Sequence, residues 1–240
     1  MSSTSPGDRR LEDCIPPENF PRVHLDRSID DINTRFAAAL GPENAPIQTS
    51  ADMLRAAGSI TLMDWGCGTG NTLRTWSDTL RNRTAVRSEK VRLIGLSKYD
   101  YSGESISPAT DRACRKGKIR YVVGDAFAID TSTYNADITL SYSAMMHVGN
   151  PIRWLSIMLS ATNPGGYSFF EVTMEQALKP EFSEHLDSLL EQGYEMQGGN
   201  LHLTQTEKGT PKMETYRSLF RLSVPLENVS SNLQQGNHKR

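Results

Sequence analysis

Three glycines at alternate positions constrain this chain more than any other feature of its sequence. Gly66, Gly68 and Gly70 lie in the run DWGCGTG at residues 64–70, at the end of the strand-like stretch 59–64. Apolar side chains spaced three to four residues apart follow, which is typical of one helical face. A glycine-rich turn between a strand and a helix lets the backbone turn sharply and approach a ligand closely. The sequence therefore predicts a nucleotide-like ligand at this turn.

The exact spacing of the glycines narrows the choice of ligand. A dinucleotide-binding turn has glycine at its first, third and sixth positions, whereas here the sixth position is Asn71 and the fifth is Gly70. The run also lacks the Gly-Lys-Ser/Thr ending of a phosphate-binding loop. A pyrophosphate would be repelled by Asp64, so we expect a less anionic ligand. S-adenosylmethionine fits, because the carboxylate would face its positively charged ammonium and sulfonium groups.

The rest of the chain alternates strand-like apolar runs with helix-like periodic segments, which is typical of a mostly parallel sheet covered on both faces. A period of two on both sides of a turn near residues 209–211 indicates a hairpin at the sheet edge. We predict an α/β fold. It is a three-layer Rossmann-like sandwich whose mostly parallel seven-stranded sheet has an antiparallel C-terminal hairpin strand, with an N-terminal helical cap. The predicted parallel strands are 59–64, 91–96, 119–123, 136–141 and 167–172.

The composition of the chain also suggests where its parts begin and end. Residues 1–12 and 227–240 are small, polar and charged, so we expect both to be disordered tails. Between them we place a helical N-terminal cap at 13–48 and one Rossmann-like domain at 49–226.

Helix signals precede and interrupt the predicted strands. One helix is predicted at 28–40, and a second is predicted to begin with Thr49 or Ser50 as its N-cap and to end at Gly58. The run NPGG at 163–166 is predicted to form the turn between a helix that opens at Asn150 and the fifth strand.

Charge and cysteine content limit the compartments and partners that we expect. A net charge of -2 does not favour nucleic acid as a partner. Cys14, Cys67 and Cys114 form neither a C-x-x-C pair nor a zinc-like spacing, which favours a reduced, cytoplasmic compartment. We find no apolar stretch long enough to span a bilayer and no secretory signal, so we expect no membrane association.

Several motifs, in order along the chain, resemble those of class I S-adenosylmethionine-dependent methyltransferases. LMDWGCGTG at 62–70 resembles motif I of that family, and YVVGDA at 121–126 resembles the segment whose Asp accepts from the adenine amino group. DITLS at 137–141 with MMHV at 145–148 resembles the fourth strand and the segment under the methyl group. The resemblance implies S-adenosylmethionine as cofactor, with contacts at Asp64, Gly66, Cys67, Gly68, Gly70, Asp125, Ala126 and Ser141.

The second strand departs from the family pattern. The family has an acidic residue there that accepts from both ribose hydroxyls, and this chain has Ser97 instead. Either Ser97 makes one weaker contact or Asp100 reaches back to the ribose. Loss of a charge-assisted hydrogen bond costs on the order of 1–3 kcal/mol, which would weaken cofactor binding without abolishing it.

Three side chains near the expected methyl group are candidates for catalysis. His147 follows the fourth strand and is predicted to act as a general base or to contact the substrate, with a structural role as the alternative. Tyr142 would orient the sulfonium or the acceptor, or simply pack as an aromatic side chain. Glu171 ends the fifth strand and would bind an acceptor amine or act as a base, with a solvated strand end as the alternative. No acidic residue occurs between Ser141 and Pro151, so we expect no metal ion.

The predicted reaction is direct in-line methyl transfer to an oxygen, nitrogen or carbon atom of a small-molecule acceptor. Specialised metabolism is one setting for such a reaction. The sequence does not define the acceptor atom. The atypical Ser97 leaves open an enzyme of the same fold that cyclises or cleaves S-adenosylmethionine, or a non-catalytic adenosyl-binding module. A homodimer is also left open.

Overall fold

A computed structural model describes residues 27–85, 90–98, 112, 118–130, 133–207 and 210–226. The two predicted tails lie outside these residues. No helix in the described ranges combines the length and the apolar character that crossing a membrane requires.

Among the described residues, seven strands form one sheet with the order β3-β2-β1-β4-β5-β7-β6. The first five strands along the chain run parallel to one another, β7 runs antiparallel to β5, and β6 runs antiparallel to β7. The predicted mostly parallel, seven-stranded Rossmann-like sheet with an antiparallel C-terminal hairpin is therefore confirmed. The strands are β1 Ile60–Trp65, β2 Val91–Ser97, β3 Ile119–Val123, β4 Ala136–Ser141, β5 Thr162–Thr173, β6 Glu195–Glu207 and β7 Thr210–Ser223.

Helices cover both faces of this sheet. Helices of the N-terminal part pack on one face, where Phe36 and Trp76 are fully buried, and later helices pack on the other, where Trp154 and Phe182 are buried. Adjacent residues of β1 contribute to opposite faces, as expected for a central parallel strand. The helices are α1 Ile29–Leu40, α2 Pro46–Ala57, α3 Asn71–Thr84, α4 Pro151–Ser160, α5 Met174–Ala177 and α6 Pro180–Glu191.

The helix ends show which local signals decide a boundary. Ser28 caps α1, because its hydroxyl accepts from the backbone N–H of Asp31. The prediction that Thr49 or Ser50 caps the second helix is wrong, since both lie buried inside α2. Pro46 occupies the first turn of α2, where no backbone N–H is needed. The predicted end at Gly58 is confirmed by its left-handed φ of 73°.

Strand β5 begins earlier than its sequence predicts. Thr162 already pairs with Ala136 of β4, and the pairing shifts register before Tyr167 pairs with Ile138. The run 163–166 is thus an irregular first part of the strand and not a separate turn. Gly165 absorbs the irregularity with a φ of 75°.

Candidate functional site

The parallel strands bring most of the predicted site residues to one edge of the sheet. Asp64, Ser97 and Ser141 lie in the last two residues of β1, β2 and β4, Asp125 follows β3, and Glu171 lies near the end of β5. Because these five strands are parallel, their carboxyl ends meet at the same edge, where ligands of such sheets bind.

The glycine turn after β1 is held in place by backbone hydrogen bonds. The N–H groups of Gly66 and Cys67 both donate to the carbonyl of Leu96, at 2.8 and 3.0 Å. The N–H of Gly70 donates to the carbonyl of Cys67 at 2.8 Å. The hydroxyl of Tyr121 donates to the carbonyl of Gly68, which ties the turn to β3.

Gly66 occupies a position that no other residue fits. Its φ is 77°, and a Cβ atom built on it would lie 2.4 Å from the Cβ of Ala144. The turn after β1 therefore contacts the segment after β4 directly. Cys67 is buried behind the turn, and its Sγ would lie 2.7 Å from a Cβ built on Gly95. Cys67 thus fills space against β2.

The carboxyl group of Asp64 is buried, and burial makes its ionised form unfavourable. Its side chain is 4% exposed. Burial raises the pKa of Asp64 from its ordinary value of 3.8 to about 7, and no charged neighbour among the described residues opposes this rise. A carboxyl group in such surroundings is stabilised most by a positively charged partner. Its position beside the glycine turn is therefore suited to an ammonium group.

The predicted ribose and adenine contacts lie along β2 and β3. Ser97 is buried, and its carbonyl accepts from the N–H of Gly124 at 2.8 Å. Asp100 lies outside the described residues. One oxygen of Asp125 accepts from the N–H of Phe127 at 2.9 Å and so caps a short 3-10 helix. A carboxylate has two oxygens, so the second remains for another donor. Ala126 is buried beside it.

Ser141 ends β4 with its side chain used inside the protein. The indole N–H of Trp154 in α4 donates to the Ser141 hydroxyl at 3.0 Å, and Ser141 is fully buried. Its side chain thus helps to fix α4 against the sheet.

Tyr142 lies under positive charge. Its side chain is 7% exposed, and its ring packs 6.3 Å from that of Phe36. The guanidinium carbons of Arg27 and Arg35 lie 4.9 and 5.9 Å from the ring centroid. Burial, and secondarily the charge of Glu171, raise the pKa of Tyr142 to about 12, although both arginines oppose the rise. The guanidinium of Arg35 lies within reach of the Tyr142 hydroxyl, which otherwise has no hydrogen-bond partner among the described residues.

Glu171 is joined to the segment after β4. One oxygen accepts from the N–H and the hydroxyl of Ser143, at 3.0 and 3.3 Å, and the other lies 3.3 Å from Nε of Arg217. Arg27 also donates to the Ser143 hydroxyl, at 2.9 Å. Burial raises the pKa of Glu171, which is 2% exposed, while Arg217 and then the Ser143 N–H oppose the rise.

Ser143 adopts a backbone conformation that a serine seldom has, with a φ of 58°. Such strain persists only where the surroundings hold it, and Glu171 and Arg27 do so here. The predicted catalytic residue Glu171 therefore fixes the backbone between Tyr142 and Ala144. That backbone faces the glycine turn through Ala144.

His147 ends a short 3-10 helix after β4 and is exposed. Loss of part of its hydration, and then the charge of Arg217, lower the pKa of His147 below its ordinary value of 6.5. The imidazole is therefore neutral at pH 7 and able to accept a proton.

Sequence reasoning missed three arginines, Arg27, Arg35 and Arg217, which we call the arginine cluster. Arg217 reaches Glu171 because β7 lies beside β5, and this neighbourhood depends on strand order. Arg27 approaches Tyr142 from the residue before the N-cap of α1, and Arg35 approaches it from the middle of α1. In the sequence, the one feature that indicated this cluster was Arg217, a charged residue within the alternating segment 216–224. In the described part of the chain, no three His, Cys, Asp or Glu side chains are grouped as a metal site would require.

Part of the chain matches a known protein family. The model of the family described as a methyltransferase domain matches residues 63–170, from the end of β1 into β5. The resemblance to class I S-adenosylmethionine-dependent methyltransferases inferred from the motifs is thereby confirmed, and S-adenosylmethionine is the usual cofactor of such domains.

Solved structures share the fold of this methyltransferase domain. A protein from Listeria monocytogenes, described as a class I S-adenosylmethionine-dependent methyltransferase, is 15% identical with a TM-score of 0.50, over 88% of this chain and 72% of that one. A protein from Bacillus halodurans, described as a methyltransferase, is 14% identical with a TM-score of 0.45, over 74% and 99%. The cyclase SpnF is 15% identical with a TM-score of 0.45, over 74% and 80%. No curated protein matches the chain.

Proposed function

We propose that this protein is an enzyme that transfers the methyl group of S-adenosylmethionine to a small-molecule acceptor, in the cytoplasm and without a metal ion. The observation that carries the proposal is the buried carboxyl group of Asp64 beside the glycine turn. A carboxyl group held at such a cost is stabilised most by a cationic ligand, and it lies beside a turn whose backbone can approach that ligand closely.

The residues at the sheet edge fit this cofactor in kind and order. Asp64 would hold its ammonium group, and the backbone of the glycine turn would contact its amino-acid part. The second oxygen of Asp125 would accept from the adenine amino group, next to the small side chain of Ala126. Ser97 would contribute at most one hydrogen bond to the ribose, where other members of the family have a carboxylate.

When bound, S-adenosylmethionine supplies an already activated methyl group, so the protein needs mainly to position the acceptor and to remove its proton. Glu171 and Arg27 hold the segment through Ser143 that faces the glycine turn. His147 is suited to accept a proton, because its lowered pKa keeps the ring neutral at pH 7. Tyr142 would bound the acceptor on the side of α1.

Binding is tested first, because it requires no knowledge of the acceptor. We expect S-adenosylhomocysteine to bind in calorimetry and Asp64→Asn to weaken it by about tenfold or more, the size of one lost charge-assisted interaction. Asp52→Asn, an exposed carboxylate paired with Arg55 on α2, is the matched control. If millimolar S-adenosylhomocysteine left the protein unchanged while a nicotinamide nucleotide raised its Tm, the proposal would be wrong.

Turnover is tested with a panel of small acceptors, by following the formation of S-adenosylhomocysteine. With an acceptor in hand, the rate should rise with pH through a pKa below 6.5, and this acid limb should disappear in His147→Gln. An acid limb that persists in the variant would exclude His147 as the base. Methylthioadenosine formed from the cofactor alone would instead identify a cyclising or cleaving enzyme.

A further inference from the structure

The methyltransferase domain has an unusual concentration of positive charge beside its expected methyl group. The arginine cluster surrounds Tyr142 and Glu171, although the whole chain has a net charge of -2. Arg217 and Arg27 face the buried carboxylate of Glu171, whereas Arg35 lies over the ring of Tyr142.

The three arginines differ in the ion pairs and hydrogen bonds that they form with other described residues. Arg217 pairs with Glu171 at 3.3 Å, and Arg27 donates to Ser143 at 2.9 Å. Arg35 forms no ion pair with a carboxylate of the described residues, and the acid one turn before it, Asp31, accepts instead from Ser28. Among the described residues, the positive charge of Arg35 is therefore not balanced by a carboxylate in direct contact.

The hydroxyl of Tyr142 is the second group of the proposed site. It is buried, and apart from the guanidinium of Arg35 it has no hydrogen-bond partner among the described residues. Buried hydroxyls are nearly always hydrogen-bonded, because an unpaired one loses its water without replacement. A guanidinium and a hydroxyl side by side offer several donors to one acceptor, and a carboxylate has the matching geometry.

The location of these two groups connects them to the transfer reaction. Two residues after Tyr142, Ala144 contacts the glycine turn at Gly66. On the other side, the carbonyl of Arg27 accepts from the hydroxyl of Thr72 at 3.1 Å, in the first turn of α3 that follows the same glycine turn. Arg35 and Tyr142 thus lie next to the segments that would enclose the cofactor.

We propose that the acceptor of this enzyme carries a carboxylate, which binds to the guanidinium of Arg35 and the hydroxyl of Tyr142. Arg27 adds positive charge from the other side of the ring. This inference rests on the proposed function, since it defines the acceptor class for the same site. Neutral and cationic acceptors would leave Arg35 without a counter-charge and are disfavoured by the cluster.

The experiment uses the full-length protein saturated with S-adenosylhomocysteine. Acetate, benzoate and phenylacetate are each compared with their amides, acetamide, benzamide and phenylacetamide, which keep the shape and lack the charge. At least one acid should bind about tenfold or more tightly than its amide in calorimetry. Arg35→Met should lower the affinity for that acid about 10- to 100-fold, and Tyr142→Phe should lower it several-fold.

Arg55→Met is the control, because Arg55 is an exposed arginine on α2 that is paired with Asp52. It should leave the acid affinity unchanged. If no acid in the panel exceeded its amide by threefold, or if Arg35→Met kept the full preference, the carboxylate site would be refuted. The affinity for S-adenosylhomocysteine is measured in every sample: its absence from the wild type contradicts the proposed function, and its retention in Arg35→Met shows that this variant is folded.

Discussion

Replacement of Asp64 by Asn should make the ligand-free protein more stable and should also weaken the binding of the cofactor. The carboxyl group is buried without a compensating charge among the described residues, so its ionisation opposes folding. An amide of nearly the same size removes this cost. It also removes the negative charge that an ammonium group would need.

The magnitude follows from the pKa. A rise from 3.8 to about 7 corresponds to about 4 kcal/mol, at about 1.4 kcal/mol for each pKa unit. The folded state holds this proton more tightly than the unfolded state does. The contribution of Asp64 to stability is therefore present in full below pH 3.8 and is lost as the pH rises to about 7.

Two measurements check this reasoning. The free energy of unfolding in urea, compared between Asp64→Asn and the wild type, should favour the variant more at pH 8 than at pH 5, by about 2 to 3 kcal/mol. Calorimetry of the wild type with S-adenosylhomocysteine should show an affinity that falls as the pH drops below 7 and approaches that of Asp64→Asn, because binding favours the ionised carboxylate. The variant should bind weakly, with little dependence on pH.

Asp52→Asn provides the baseline for both measurements, since Asp52 is exposed and its side chain contacts only its neighbours on α2, Arg55 and Gln48, among the described residues. A stability difference between wild type and Asp64→Asn that is the same at pH 5 and pH 8 would contradict the raised pKa. An affinity of the wild type that is flat between these pH values would contradict the role of the carboxylate in binding.

Two further predictions concern the glycine turn. Gly66→Ala should abolish binding of S-adenosylhomocysteine and lower the free energy of unfolding more than Gly58→Ala does. Both glycines have φ above 70°, but only a side chain at residue 66 would collide with Ala144. Equal losses of stability in urea unfolding would show that φ alone matters. Tyr121→Phe removes the hydroxyl that donates to the carbonyl of the turn, so calorimetry should show about 2- to 10-fold weaker cofactor binding, and an unchanged affinity would mean that the turn keeps its shape without this bond.

Much of the fold could be predicted because its elements depend on local patterns. The helix after Ser28, the strand that ends at Asp64 and the helix after Asn150 each have a clear cap or apolar run, and the structure has them within one residue or so. The cap of α2 was missed because Pro46 and the side chain of Asn33, which accepts from the N–H of Ile47, outcompete Thr49. That contact comes from α1 and is not local.

The candidate site also has one part that local sequence predicts and another that depends on contacts between distant segments. The glycine turn and Asp64 form one continuous segment, so their chemistry is readable from spacing alone. The arginine cluster comes from α1 and β7, far apart in the chain from Tyr142 and Glu171. Only strand order and helix packing bring these groups together, and neither leaves a periodic signal in the sequence.

The place of β7 in the sheet has a consequence for how the molecule is made. β7 is the last of the seven strands along the described chain, yet it lies between β5 and β6. Until it inserts, the edge of β5 is open and Glu171 lacks the countercharge of Arg217. Contacts between segments distant in sequence form late and slowly. We therefore expect a nascent chain on the ribosome to form the glycine turn after β1 well before β7 inserts and brings Arg217 to Glu171.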